Sequence, residues 1–402
     1  MPIQLIMENI KSKIQRLSHQ FLEEIIACRR EIHRNPELSM KEFRTSAFVS
    51  HQLAEIGIVK QKRIAQTGIL ALIEGRNPGK KSIALRADMD ALPIHELNEV
   101  DYKSQNQGVM HACGHDVHTA SLLGTAKILH EIKDEFEGTI KLFFQPSEEN
   151  YPGGAIMMIG EGALENPRPA NVFGQHVYPD LEAGKIGLRA GKYMASTDEL
   201  HLTVKGKGGH AANPWKNIDP VLIAAHIIVA LQQIVSRNAT PEIPTVVSFG
   251  RIIGNGLTNV IPDEVTIAGT IRTFDEAWRS EAHRRITRMA QSVADGMGGS
   301  CEVRIESGYP SLYNDPAVAQ NFRDWATDYL GADNVVELPM RMTAEDFAYF
   351  AREIPSCFYR LGTGNNELGI TSGLHTATFD VDESSLRTGM GLMAWIAVNA
   401  LR

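Results

Sequence analysis

Four short stretches of the chain carry side chains that bind divalent cations well, and one of them carries a spare carboxylate. In VMHACGHDVHTAS, Cys113 and His115 lie on either side of Gly114. A thiolate and an imidazole so placed can turn toward one cation, and both suit zinc and similar ions. In FFQPSEEN, Glu148 and Glu149 follow an apolar run that Pro146 ends. Neighbouring residues of an extended loop point in different directions, so one carboxylate can hold a metal while the other takes a proton from an attacking water. His176 in NVFGQHVYP and His375 in TSGLHTATFD complete the set. Cys113, His115, Glu149, His176 and His375 supply five ligands, enough for two metals with a shared water. On residue type alone the alternatives stay open. Cys113 could be a nucleophile with a histidine base, or a small buried residue; the histidines could be hydrogen-bonded core residues; the glutamates could form a solvated turn. No HExxH helix and no paired CxxC occurs, which removes the single-zinc protease and zinc-ribbon patterns.

A second group of polar residues lies further on. VKGKGGHAANP lacks the glycine spacing and the Lys-Ser/Thr ending of a phosphate cradle, but its glycines can form a tight turn that presents His210. LTNVIPDEVTIAGTIRTF adds Asn259 and Arg272. A guanidinium grips a substrate carboxylate through two parallel hydrogen bonds.

Apolar periodicity says which elements must position these groups. Ile14, Leu17, Phe21, Ile25 and Ile32 recur at helical spacing from Asn9 to His33. TGILALIEG, SIALRADMDAL and GTIKLFFQP read as strands, and HTASLLGTAKILHEI as a helix between the last two. This alternation predicts an α/β layered domain. From DELHLTVKGKG to SCEVRIES the order becomes β-α-β-β-α-β, with helices over Pro214 to Arg237 and over DEAWRSEAHRRITRMAQSVADGM. That order is the ferredoxin-like arrangement. The expected division is a catalytic domain of residues 1–189 and 306–402, interrupted by an inserted domain of residues 190–305.

Composition fits two globular domains: 43% hydrophobic and 22% charged residues suffice for a sizeable core without a disordered or fibrous bias. A net charge of −8 and the lack of any basic block argue against nucleic acid as a partner. VLIAAHIIVAL is too short to span a bilayer, so no membrane partner is expected. Four scattered cysteines form no disulfide framework, and the N-terminus has no secretory pattern; a reducing cytoplasm is the simplest compartment.

Taken in order, RREIHRNPELSMKE, LRADMDALPI, MHACGHDVHTASLLG, FFQPSEE, GQHVYP, GKGGHAANP, NVIPDEVTIAGTIRTF, AEDFAYF and LHTATFDVDE resemble the metal-dependent amidohydrolases of the aminoacylase and carboxypeptidase superfamily. That branch includes hippurate hydrolase, N-acyl-amino-acid amidohydrolases and indole-acetyl-amino-acid hydrolases. The resemblance implies a zinc-peptidase-like three-layer catalytic domain, an inserted lid and dimerisation domain, and two divalent metal ions per subunit (Zn, Mn, Ni or Co). It implies Cys113, His115, Glu149, His176 and His375 as ligands, Glu148 as catalytic base, and His210 as a lid histidine that reaches the partner subunit's active site. Asn259 and Arg272 would bind substrate, and Asp88 resembles a residue that supports the ligands. The implied reaction is hydrolysis of an N-acyl amino acid by a homodimer. A dipeptidase or carboxypeptidase of the same superfamily, a thiol hydrolase using Cys113 and a non-catalytic relative are the competing readings. Thr343 and Ala344 stand where glycines are common in the family, and Tyr151 follows the acidic pair.

Overall fold

The computed structural model describes residues 3–402. The chain forms two compact units, one of Met1–Gly191, Tyr313–Pro339 and Asp346–Arg402, the other of Lys192–Leu312 and Met340–Glu345. The expected division at 189/190 and 305/306 differs by a few residues, and a short return segment also joins the smaller unit. It does so through backbone bonds: the Arg341 amide donates to the Tyr193 carbonyl, and the Ala195 amide to the Arg341 carbonyl.

The larger unit is built on an eight-stranded mixed sheet. From one edge to the other the strands are Gln61–Ile64, Gly68–Glu74, Thr139–Gln145, Ser82–Asp88, Val172–Glu182, Ser356–Gly364, Ile186–Leu188 and Val335–Glu337. The four at its centre run parallel to one another. Every residue of Ser82–Asp88, Thr139–Gln145 and Ser356–Gly364 is buried, as parallel strands covered on both faces require. The helices His115–Glu131 and Ser385–Ala400 are buried along most of their length and contribute to the same apolar core. Parallel strands place their carboxyl ends on one side, and loops leaving that side are where open α/β sheets carry their chemistry. Asp88 and Gln145 are the last residues of two such strands.

Helix limits differ from the periodicity reading in two places. The N-terminal helix is two, Ile3–Gln20 and Leu22–Arg34. Only Phe21 interrupts them, and its flanking bonds, Phe21 N–H to Leu17 and Ile25 N–H to Phe21, persist. The expected Pro214–Arg237 helix is divided into a turn Pro214–Lys216, an α-helix Pro220–Leu231 and a π turn Ile234–Asn238. Asp219 restarts the helix by accepting the Val221 and Leu222 amides, with Pro220 at its first position.

In the smaller unit, strands Thr245–Ile253, Glu264–Thr273, Asp198–Lys205 and Ser300–Ser307 lie in that order, all antiparallel. Together with helices Pro220–Leu231 and Glu276–Gly296 they give the β-α-β-β-α-β order and enclose a second core. The helical stretch Pro220–Asn238, at 19 residues, exceeds the run judged too short above and is long and apolar enough to cross a membrane. One face of it, Ile223, Ala224, Ile227, Leu231 and Ile234, belongs to the core of the unit.

One glycine fixes the loop before the helix His115–Glu131. Gly114 has φ +84°, and a Cβ there would meet Val177 Cγ2 at 2.4 Å. Gly114→Ala therefore combines backbone strain with overpacking and should cost about 2–4 kcal/mol. Gly184, at φ +92° with nothing near its Cβ, supplies the strain alone. Gly184→Ala should cost about 1 kcal/mol. Urea denaturation of both variants checks this, and equal losses would discount the Val177 contact.

Candidate metal centre

The parallel strands and the loops beyond them bring the predicted ligands together. Cys113 Sγ lies 3.4 Å from His176 Nε2 and 3.3 Å from His375 Nε2. Glu149 Oε1 is 3.4 Å from His375 Nε2 and 3.9 Å from His115 Nε2. Ligand atoms of one tetrahedral cation bound through sulfur and nitrogen stand about 3.5 Å apart. Three overlapping groups have every ligand atom within 4.8 Å of the others: Cys113–His115–His176, Cys113–Glu149–His375 and His115–Glu148–Glu149. Cys113, His115 and Glu149 are each shared by two of them, so the groups form one continuous cluster with room for more than one cation.

Hydrogen bonds fix which imidazole nitrogen is available. His115 Nδ1 is 2.8 Å from the Asp90 carbonyl, which can only accept, so Nδ1 carries hydrogen and Nε2 faces the cluster. In the same way His176 Nδ1 donates to the Val177 carbonyl at 2.8 Å. His115 Nε2 and Glu149 Oε1 are buried and have no hydrogen-bond partner among the described residues. Orphaned buried acceptors aimed at one point are what a cation would satisfy. The donor set of thiolate, imidazoles and carboxylate fits a divalent metal pair.

Asp88, His115 and His118 form a further buried cluster, but His118 has no nitrogen to offer. Its Nε2 accepts the Val177 amide at 2.9 Å, so Nδ1–H donates to Asp88 Oδ1 at 2.5 Å. Asp88 Oδ2 accepts from Arg86 Nη1 at 2.7 Å and lies 3.6 Å from His115 Nε2. Asp88 therefore orients its neighbours while its own charge is balanced by Arg86.

The acidic loop is held by other acids. Asp90 Oδ1 and Oδ2 accept the Glu148 and Glu149 amides at 2.9 and 3.0 Å, and Glu42 accepts the Ser147 amide at 2.9 Å. Glu148 is buried, and its Oε1 accepts the Asp346 amide at 3.4 Å. His375 takes the left-handed region at φ +60°, held by its amide bond to the Ala112 carbonyl at 2.8 Å. The reading of residue types missed Asp90, His118, Arg86 and Asp346. The repeated aspartate of RADMD and the i, i+3 histidines of HDVH were the available signals.

Electrostatics match this geometry. Burial opposes a charged His115, yet the carboxylates of Asp88, Asp90 and Glu149 push it up to about 10. Burial, then the charges of Glu149 and Glu148, raise the Cys113 thiol well above its usual value. Contact with Glu149 raises His375. Burial, with Arg360 and His118 nearby, drives His176 well below the ordinary imidazole value.

In the smaller unit, His210 and Asn259 are exposed and joined by a short ribbon. His210 pairs with Val260, the Ala211 amide donates to the Asn259 carbonyl, and His210 Nδ1 accepts the Ala212 amide at 3.1 Å. Arg272 is half-buried on the strand Glu264–Thr273, and its desolvation lowers its pKa.

Comparison with known proteins gives a consistent match. The model of peptidase family M20/M25/M40 matches residues 84–399. An N-acetyl-L-cysteine deacetylase of Bacillus subtilis (strain 168) is 40% identical over 364 residues, covering 90% of this chain and 85% of that protein. An N-acyl-L-amino acid amidohydrolase of Geobacillus stearothermophilus is 42% identical over 304 residues, covering 76% and 81%. The crystal structure of a dinuclear metal-binding peptidase of the M20 family from Bacillus subtilis superposes with a TM-score of 0.83 at 35% identity, covering 95% of this chain and 99% of that one. By family model, by relatives along most of its length and by fold, the chain belongs to peptidase family M20/M25/M40.

Proposed function

We propose that this protein is a metal-dependent amidohydrolase that cleaves N-acyl amino acids to a carboxylic acid and a free amino acid. The observation that carries the reading is the convergence of Cys113, His115, Glu149, His176 and His375 on one cluster, buried at Cys113, His115 and His176 and open at His375, beside a second carboxylate, Glu148. The names of relatives, a deacetylase of N-acetyl-L-cysteine and an amidohydrolase of N-acyl-L-amino acids, support the substrate class. Peptide substrates are the second reading, favoured by the solved relative described as a peptidase.

The five residues would hold two divalent ions, with zinc, manganese, nickel or cobalt compatible with their donors. When bound, such a pair supplies Lewis acidity that lowers the pKa of water and polarises an amide carbonyl. Glu148, fixed through its amide by Asp90 and at its carboxylate by the Asp346 amide, takes the proton of the attacking water at an Oε atom. Oxygen then adds to the acyl carbon, the C–N bond breaks, and Glu148 returns the proton to the leaving nitrogen. His210 would stabilise the developing oxyanion, and Asn259 and Arg272 would grip the substrate carboxylate. Asp88 would keep His118 and His115 in register.

The proposal extends to a homodimer formed through the smaller unit. Strand Thr245–Ile253 is an unpaired edge of its sheet, and Val221, Leu222 and Val229 are exposed on the helix Pro220–Leu231 of the same unit. A reducing cytoplasm suits four buried cysteines, none in a disulfide.

Glu148→Gln should lower kcat by about 10²–10⁴-fold while two metals per chain are retained by elemental analysis. Turnover at the wild-type rate would remove Glu148 from the mechanism. Chelation should abolish hydrolysis of a panel of N-acyl amino acids and dipeptides, and added divalent metal should restore it; indifference to chelators would defeat the metal reading. The panel also decides between acyl and peptide substrates. Mixing inactive His210→Ala chains with inactive Glu148→Gln chains should recover part of the activity, since one site in a mixed dimer would be intact. Fully active protein that is monomeric by light scattering would exclude the shared site.

A further inference from the structure

A buried arginine links the metal cradle to the loop that holds Glu148. Arg86 is fully buried on the strand Ser82–Asp88, and its guanidinium fork makes at least three directed bonds. Nη1 donates to Asp88 Oδ2 at 2.7 Å, Nε to Gln145 Oε1 at 2.8 Å, and Nη2 to Asp346 Oδ1 at 2.8 Å. Gln145, the last residue of the adjacent strand, then donates from Nε2 to both Asp346 oxygens, at 2.8 and 2.7 Å. The Ala155 amide donates to Asp346 Oδ2 at 3.0 Å. Asp346 is completely buried, so its side chain has one arrangement in which all of these donors are met. Its backbone amide donates to Glu148 Oε1 at 3.4 Å.

The frame therefore touches the cluster at both ends. Through Asp88 it reaches His118 and His115; through the Asp346 amide it reaches the carboxylate read above as the base. Only a planar fork can serve an aspartate on its own strand, a glutamine on the next and an aspartate 260 positions away at once. A lysine would reach one of them.

We propose that Arg86, Gln145 and Asp346 are positioning residues that set the distance and angle of the Glu148 carboxylate relative to the metal cradle. The inference rests on the reading of Glu148 as the base. Asp346→Asn keeps the shape but turns an acceptor into a donor facing the donors of Gln145, Ala155 or Arg86, so the frame loosens without removing any ligand. Misplacement of a reacting group by about 1 Å costs on the order of 10²-fold in rate.

The test is a cycle of four metal-loaded proteins: wild type, Asp346→Asn, Glu148→Gln and the double variant. Asp346→Asn should lower kcat by about 10–100-fold, with KM within about threefold and two metals retained. In the Glu148→Gln background it should add less than about a twofold further loss, because the group it positions is already disabled. An equal loss in both backgrounds, or none in either, would overturn the frame while leaving the base reading intact. Wild-type turnover by Glu148→Gln would instead overturn the base reading, and this inference with it. Gln145→Leu, which leaves the Arg86–Asp346 ion pair in place, carries the same cycle if Asp346→Asn does not fold. Hydrogen exchange adds a readout independent of turnover and of any change at Asp346. In Glu148→Ala the Asp346 amide loses its acceptor and should exchange at least about tenfold faster than in wild type; unchanged exchange would contradict the link.

Discussion

Buried negative charge is the constraint that organises the larger unit. Asp88, Asp90, Glu42, Asp116, Asp346 and Glu148 are all buried, and Cys113 and Glu149 lie among them. Carboxylates removed from water persist only where a cation or several N–H donors compensate each one. Two buried arginines serve the outer members. Arg29 pairs with Asp116, Asp380 and Glu383, and Arg86 with Asp88 and Asp346. Backbone amides serve Asp90 and Glu42. Beside the Cys113 sulfur, Glu149 Oε1 and His115 Nε2 are buried without a hydrogen-bond partner among the described residues. There the carboxylates of Asp88, Asp90 and Glu149 raise His115 against its burial, and burial with the charges of Glu149 and Glu148 raises the Cys113 thiol. Thiolate and imidazole ligands bind divalent ions only when deprotonated, so metal affinity at such a cluster is coupled to pH.

The same economy explains local strain. Ser147 and His375 both adopt positive φ without being glycine. Each departs from a relaxed backbone at the edge of the cluster, and each is tied by its own amide, Ser147 to Glu42 and His375 to Ala112. Strained conformations of this kind persist only where neighbouring structure over-determines them. Glu42 comes from the segment after the second helix, far from Ser147 in sequence, so the acidic loop depends on a contact that no local propensity specifies.

That distinction marks what was legible in the chain. Strands such as Thr139–Gln145 and Ser82–Asp88 announced themselves through unbroken apolar runs ended by turn residues, because strands covered on both faces need no polar alternation. Cys113, His115, Glu148 and Glu149 stood out by type and by position beside such runs. His118 and Arg86 did not, because their roles depend on which atoms face them: His118 on the Val177 amide, Arg86 on an aspartate from the far end of the chain. Composition and spacing report which groups a chain owns. They do not report how many hydrogen bonds each group has left to make. The short return of Met340–Glu345 to the smaller unit was illegible for a related reason, being a backbone pairing without a side-chain signature.

Hydrogen-bond saturation also separates a ligand cysteine from a nucleophilic one. A nucleophilic thiol needs its thiolate favoured, by a cation, a helix N-terminus or an imidazole free to take the proton. Cys113 precedes a helix, but its sulfur sits against Glu149 and Glu148, whose charges and the surrounding burial hold the proton on. Of the imidazoles beside it, His176 is driven toward its neutral form by burial, with its Nδ1 hydrogen committed to the Val177 carbonyl, while His375 is drawn to Glu149. His118, spent on Asp88 and Val177, cannot take part at all. An environment that suppresses the thiolate until a strong Lewis acid arrives is hostile to attack by sulfur and well suited to coordination. The acids packed around Cys113 thus suit a metal ligand better than a nucleophile.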